Sequence, residues 1–164
     1  MFTKEYFSPD IFDFLNVLNK HKVKFVIVGG EAVIYYGYAR LTGDIDLFYD
    51  NSNENIENLW KALIEFWDND IPIIKSKDEF KKRGTIIQFG LPPNRIDLIN
   101  SIEGVEFSEV WENCKIEQLD LENKQYIDIY IIGLKQLIKN KRASGRYKDL
   151  EDLEYLTSIN NKDL

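Results

Sequence analysis

Residues 26–48 read VIVGGEAVIYYGYARLTGDIDLF, and this stretch decides the fold. Val23–Val28 (VKFVIV) is a short β-branched apolar run, the composition of a buried strand. It ends abruptly at Gly29-Gly30, after which Glu31–Tyr38 reads as a helix closed by or near Gly37. Ile45–Tyr49 predicts a second strand, in which acidic and apolar residues alternate. On a strand, residues i and i+2 face the same way, so Asp44 and Asp46 share one face while Ile45 points into the core.

Working outward, residues 10–20 (DIFDFLNVLNK) place Ile11, Phe14, Leu15 and Leu18 on one helical face. A helix over about 53–67 turns Ile56, Leu59, Trp60, Leu63 and Ile64 inward. A short strand is expected at 71–75. Thr85–Phe89 and Arg95–Ile99 read as strands joined across LPPN, a turn signal. A short helix follows near Phe107–Trp111, then a hairpin of 115–121 with 126–131 turning around Glu122–Lys124. Two closing helices, about 133–143 and 146–159, flank Gly145. Strands mixed with helices in this order predict an α/β (α+β) fold, a mixed β-sheet with helices packed against it. Residues 1–164 read as one domain, with helices at about 133–160 closing on its core. A chain of this length can bury roughly 70% of its unfolded surface, so it needs no staples.

Composition narrows the chemistry. One cysteine, Cys114, forbids an intramolecular disulfide and a multi-cysteine zinc site, and one histidine, His21, excludes a histidine-rich site. Any bound metal must therefore be held by carboxylates, which favours magnesium or manganese over zinc. The formal net charge of −7 argues against broad adhesion to nucleic acid. Residues 133–148 run against that trend, with Lys135, Lys139, Lys141, Arg142, Arg146 and Lys148 and no acid. No apolar run is long enough to span a membrane. The opening MFTKEYFSPD has neither an apolar stretch nor a small-residue cleavage site, so a cytoplasmic protein is expected.

Three features carry chemistry. Gly29-Gly30 at a strand-to-helix junction lets a ligand approach the backbone and suits a phosphate, though a plain tight turn reads the same way. Asp44 and Asp46 repel each other unless a cation sits between them, which suits magnesium; a solvated edge strand is the alternative. Asp97 is one acid in the apolar strand Arg95–Ile99. Beside the Asp44–Asp46 strand it completes a three-carboxylate site able to hold two divalent ions. As a strand-end acid it simply pairs with Arg95. Lys141 continues the apolar stripe of Leu134, Leu137 and Ile138, so it either snorkels outward or points into a cleft. Arg142 and Arg146 lie off that stripe and read as solvated surface. Glu31 reads as a helix N-terminal acid with no phosphate role. Asp149, Asp152 and Tyr155 are candidates for an acceptor side. Tyr35, Tyr36 and Tyr38 offer either a stacking surface for a base or ordinary packing.

Together, the apolar strand, Gly-Gly, short helix and Asp-Ile-Asp resemble the signature of the polymerase-β-like nucleotidyltransferase superfamily, with 13 residues between Gly30 and Asp44. Arg40 and Thr42 ahead of the acids resemble the form found in its minimal, AbiEii-toxin-like branch. Arg95-Ile96-Asp97-Leu98 resembles the third-acid strand, and residues 134–156 resemble the closing helices, with Lys141 and Asp149 at the positions usually singled out.

The resemblance implies an NTP-dependent, two-metal enzyme that transfers a nucleoside monophosphate to a hydroxyl on tRNA, protein or a small molecule. Asp44, Asp46 and Asp97 would be catalytic and metal-binding, with magnesium or manganese as cofactor. Gly29, Gly30, Arg40, Thr42 and Lys141 would bind the nucleotide. A toxin–antitoxin role with a cognate partner, or antibiotic modification, is the implied setting. The alternative is a non-catalytic partner or antitoxin module on the same fold.

Overall fold

The apolar run that ends in Gly29-Gly30 lies at the centre of a sheet. In the computed structural model, which describes residues 2–121 and 125–161, the strand Phe25–Val28 (β1) is buried along its whole length. It is flanked by the acid-bearing strand Asp44–Tyr49 (β2) and by Tyr126–Ile131 (β6). Ile86–Phe89 (β3), Arg95–Ile99 (β4) and Lys115–Asp120 (β5) complete a six-stranded sheet in the order β3-β4-β2-β1-β6-β5. The sheet is mixed. β1 runs antiparallel to β2 and parallel to β6, and β4 runs parallel to β2. β3 with β4 and β5 with β6 are antiparallel hairpin partners. The hairpin's expected turn, Glu122–Lys124, lies outside the described residues.

Helices cover the sheet where their apolar stripes require it. Pro9–Lys20 (α1) starts at Ser8, whose hydroxyl accepts from the Ile11 N–H, and has Pro9 in its first turn, where a missing donor costs nothing. It buries Ile11, Phe14, Leu15 and Leu18, the face expected from their spacing. Asn53–Phe66 (α3) packs beside it and buries Ile56, Leu59 and Leu63; Trp60 and Ile64 pack against the core from partly exposed positions. Asn55 on α3 is buried and fully used. Its Oδ1 accepts from the Lys24 N–H at 2.7 Å, and its amide donates to the carbonyls of Lys24 and Asp50. That pins the helix to the β1–β2 edge where the two strands enter and leave the sheet.

Gly29–Tyr35 (α2) is shorter than the expected Glu31–Tyr38 and begins at the glycine pair itself. Phe107–Glu112 (α4) is a short surface helix. Leu134–Ser144 (α5) ends on Gly145 in the left-handed region (φ 59°), and Tyr147–Asn160 (α6) turns back against it.

One expected strand is absent. Residues 71–75 form no strand, because Pro72 lacks a ladder donor and Ile73 adopts φ 59° with its side chain 70% exposed. The chain instead turns there and enters a single 3₁₀ turn, Lys77–Phe80, that buries Phe80. No helix among the described residues is long and apolar enough to cross a membrane.

Candidate active site

The alternation of β2 determines which side chains meet. Ile45 and Leu47 are buried, so Asp44 and Asp46 emerge together on the other face. β4 lies parallel alongside, in a register that sets Asp46 opposite Asp97 and Asp44 opposite Arg95. The strand neighbour that the third acid required is therefore present. One carboxylate oxygen from each of Asp44, Asp46 and Asp97 lies within 4.8 Å of the others. This acid group forms part of the lining of a cleft of about 560 Å³. Gly29, Gly30, Arg40, Thr42 and Lys141 line the same cleft.

The glycine pair is there because nothing larger fits. Gly29 has φ 63°, and a Cβ on it would collide with the Asp46 carboxylate. A Cβ on Gly30 would meet Thr42 Oγ1 at 2.8 Å. Thr42 in turn donates to Asp44 Oδ1 at 3.0 Å, so it orients an acid. Gln88 on β3 donates to Asp97 Oδ2 at 2.9 Å. Arg95 does more than pair with Asp97, since its guanidinium also reaches Asp44. The Asp46 carboxylate accepts no hydrogen bond from the described residues. Burial, then the charges of Asp44 and Asp97, push its carboxyl up to about 6, with Lys141 and Arg146 pulling the other way.

The opposite wall comes from α5 and α6. Lys141 is 4% exposed; its Nζ donates to Asp149 at 2.7 Å and lies 2.9 Å from Asp152. Arg40, from the segment before β2, donates to both oxygens of Asp152 at 2.8 and 2.6 Å. Arg146 closes the chain of charges by donating through Nε to Asp149 at 2.9 Å. Burial alone would raise the Asp149 carboxyl, but hydrogen bonds from Lys141 and Arg146 hold it down to about 2. Arg40, Lys141 and Arg146 outnumber Asp149 and Asp152, so this wall keeps a net positive charge facing the three acids.

Some expectations change here and others hold. Arg146 is exposed, as expected, but it also lines the cleft and pairs with Asp149. Asp149 and Asp152 are buried partners of cations rather than free acceptor-side groups. Tyr155 stacks on Tyr38 with ring centroids 4.9 Å apart. Tyr35 donates to Glu117 and Tyr36 to the Ile132 carbonyl, so all three candidate stacking tyrosines are packing residues. Glu31 accepts from Tyr6 and does not line the cleft. Sequence reasoning missed Gln88, and it missed Tyr147, which is 79% exposed on the cleft rim.

A family model described as a nucleotidyltransferase of unknown function (DUF6036) matches residues 9–164. The chain belongs to this nucleotidyltransferase family. No curated protein matches it. The six-stranded mixed sheet with helices packed against it is consistent with a nucleotidyltransferase-like fold, as the glycine pair and Asp-Ile-Asp had implied.

Proposed function

We propose that this nucleotidyltransferase moves a nucleoside monophosphate from a nucleoside triphosphate to a hydroxyl of tRNA, protein or a small molecule. The carrying observation is the convergence of Asp44, Asp46 and Asp97 at one cleft. The acceptor oxygen forms a bond to the α-phosphorus, the bond from that phosphorus to the bridging oxygen breaks, and pyrophosphate leaves. Asp97, 5% exposed, takes the hydroxyl proton. Gly29 and Gly30 admit the triphosphate against the backbone. Thr42 holds Asp44 in place, and the Arg40–Lys141 wall offsets phosphate charge.

The donor set fits a hard divalent cation. Every candidate ligand atom is a carboxylate oxygen, and Gly29 leaves Asp46 the space that a side chain would take. Asp44 and Asp46 would hold two such ions, magnesium or manganese, with Asp97 sharing one. When bound, these ions supply charge neutralisation and hydroxyl polarisation.

Incubation with each radiolabelled triphosphate in cell lysate should label an acceptor. Loss of even an outer-shell metal partner costs roughly 10–100-fold, so Asp44→Asn or Asp46→Asn should cost more than that. Full labelling by either variant would sink the proposal.

A further inference from the structure

Arg95 is a charged cleft residue that the proposed chemistry leaves unused. It begins β4 opposite Asp44, and its guanidinium spans two of the three acids. Nε donates to Asp97 Oδ1 at 2.8 Å, and Nη2 donates to Asp97 Oδ2 at 3.1 Å and to Asp44 Oδ2. Thr42 holds the other oxygen of Asp44 at 3.0 Å, and Gln88 adds a second donor on Asp97 Oδ2 at 2.9 Å. Both oxygens of Asp44 and both of Asp97 thus carry a donor.

Converging carboxylates need a cation between them, and here it is a planar fork suited to two oxygens at once. A guanidinium keeps its charge at any working pH, so it cannot leave by losing a proton. A divalent ion needs lone pairs on the same oxygens. Each oxygen has two lone pairs, so Arg95 and the metal compete chiefly as two cations for the space and negative charge between the same acids. The Arg95 side chain is 27% exposed on the cleft, so it has an exit. A polyphosphate in that cleft offers oxygens equivalent to those it gives up.

We propose that Arg95 is a positioning residue that holds Asp44 and Asp97 together, opposes binding of a lone divalent ion, and passes to the triphosphate when metal and nucleotide arrive together. Metal and nucleotide then bind cooperatively, each raising the other's affinity by the same factor. The inference rests on the nucleotidyltransfer reading of this cleft.

The test is titration of the full-length protein with Mn²⁺, following the free ion by electron paramagnetic resonance. It is run with and without a triphosphate analogue whose α,β-bridging oxygen is replaced by methylene. Wild type should bind Mn²⁺ weakly alone and at least about tenfold more tightly with the analogue. Arg95→Gln should bind Mn²⁺ alone roughly tenfold more tightly than wild type and lose most of that coupling. Arg95→Lys, which keeps the charge without the fork, should fall between them. Unchanged or weaker Mn²⁺ affinity in folded Arg95→Gln overturns the inference. If that variant folds only with Mn²⁺, Arg95→Lys decides, and an affinity no higher than wild type overturns it. Wild-type protein that binds no Mn²⁺ under either condition overturns the three-acid reading and this inference with it. Failure confined to the Arg95 variants leaves the three-acid reading standing.

Discussion

Asp46 sits where its own charge is least welcome. It is half-buried, faces Asp97 across the strand pair, and shares its face of β2 with Asp44. Its carboxyl is raised from the ordinary 3.8 to about 6, by burial first and then by the two neighbouring acids. An acid raised in the folded state costs stability as pH climbs from about 4 through 6, and the full cost is in place above that. Asp46→Asn should therefore stabilise the protein by roughly 1–3 kcal/mol at pH 7.5 in EDTA, with the gain vanishing below pH 4. Urea unfolding at the two pH values checks this, and a variant less stable than wild type at pH 7.5 contradicts it. The same substitution should remove metal binding, a trade of function for stability. Asp44 and Asp46 were legible from sequence because strand periodicity acts over two residues. The bridge from Arg95 to Asp44 was not, because the two lie 51 positions apart and meet only through the β2–β4 register.

At the scale of elements, α5 and α6 were legible as helices flanking Gly145, but their interface was not. Apolar spacing reveals which face of a helix is buried. It does not reveal that Lys141 at the end of that face meets two carboxylates from the next helix. The same limit explains the tyrosines of the 29–38 segment, whose partners Glu117, Ile132 and Tyr155 come from distant elements. The misread strand at 71–75 has a local cause, since apolar content there hides a left-handed Ile73 behind Pro72. The helix pair has a measurable acid sensitivity. Asp149 titrates near 2 in the fold, below its ordinary 3.8, so its stabilisation is present above pH 4 and is lost as pH falls toward 2. That contribution is on the order of 2 kcal/mol. Asp149→Asn should lower stability at pH 7 and flatten its decline between pH 4 and 2, as followed by circular dichroism. An equally steep acid decline in the variant would count against the ion-pair account.

Across the whole molecule, the sheet order carries the fold's logic. β1 is central and wholly apolar; Asp44 and Asp46 lie on the strand beside it and Asp97 on the next one out. The cleft joins that sheet to helices from the far end of the chain. A ligand seated there should stabilise the entire fold. At about 100 times its dissociation constant, a magnesium–triphosphate complex adds roughly 2.7 kcal/mol, which for a chain of this size raises the melting temperature by about 5–10 °C. Differential scanning fluorimetry with magnesium, triphosphate and both together measures this. A non-catalytic partner lacking the metal site should show no gain from the pair.

The ion pairs that bind Arg40 to Asp152 also span 112 positions of sequence. A stop codon after Asp97 and ahead of Asp149 would spare Asp44, Asp46 and Asp97 yet remove Asp149 and Asp152, the carboxylates that hold the facing wall together. In a genetic selection, late nonsense alleles should therefore fall in the same class as missense changes at the acids.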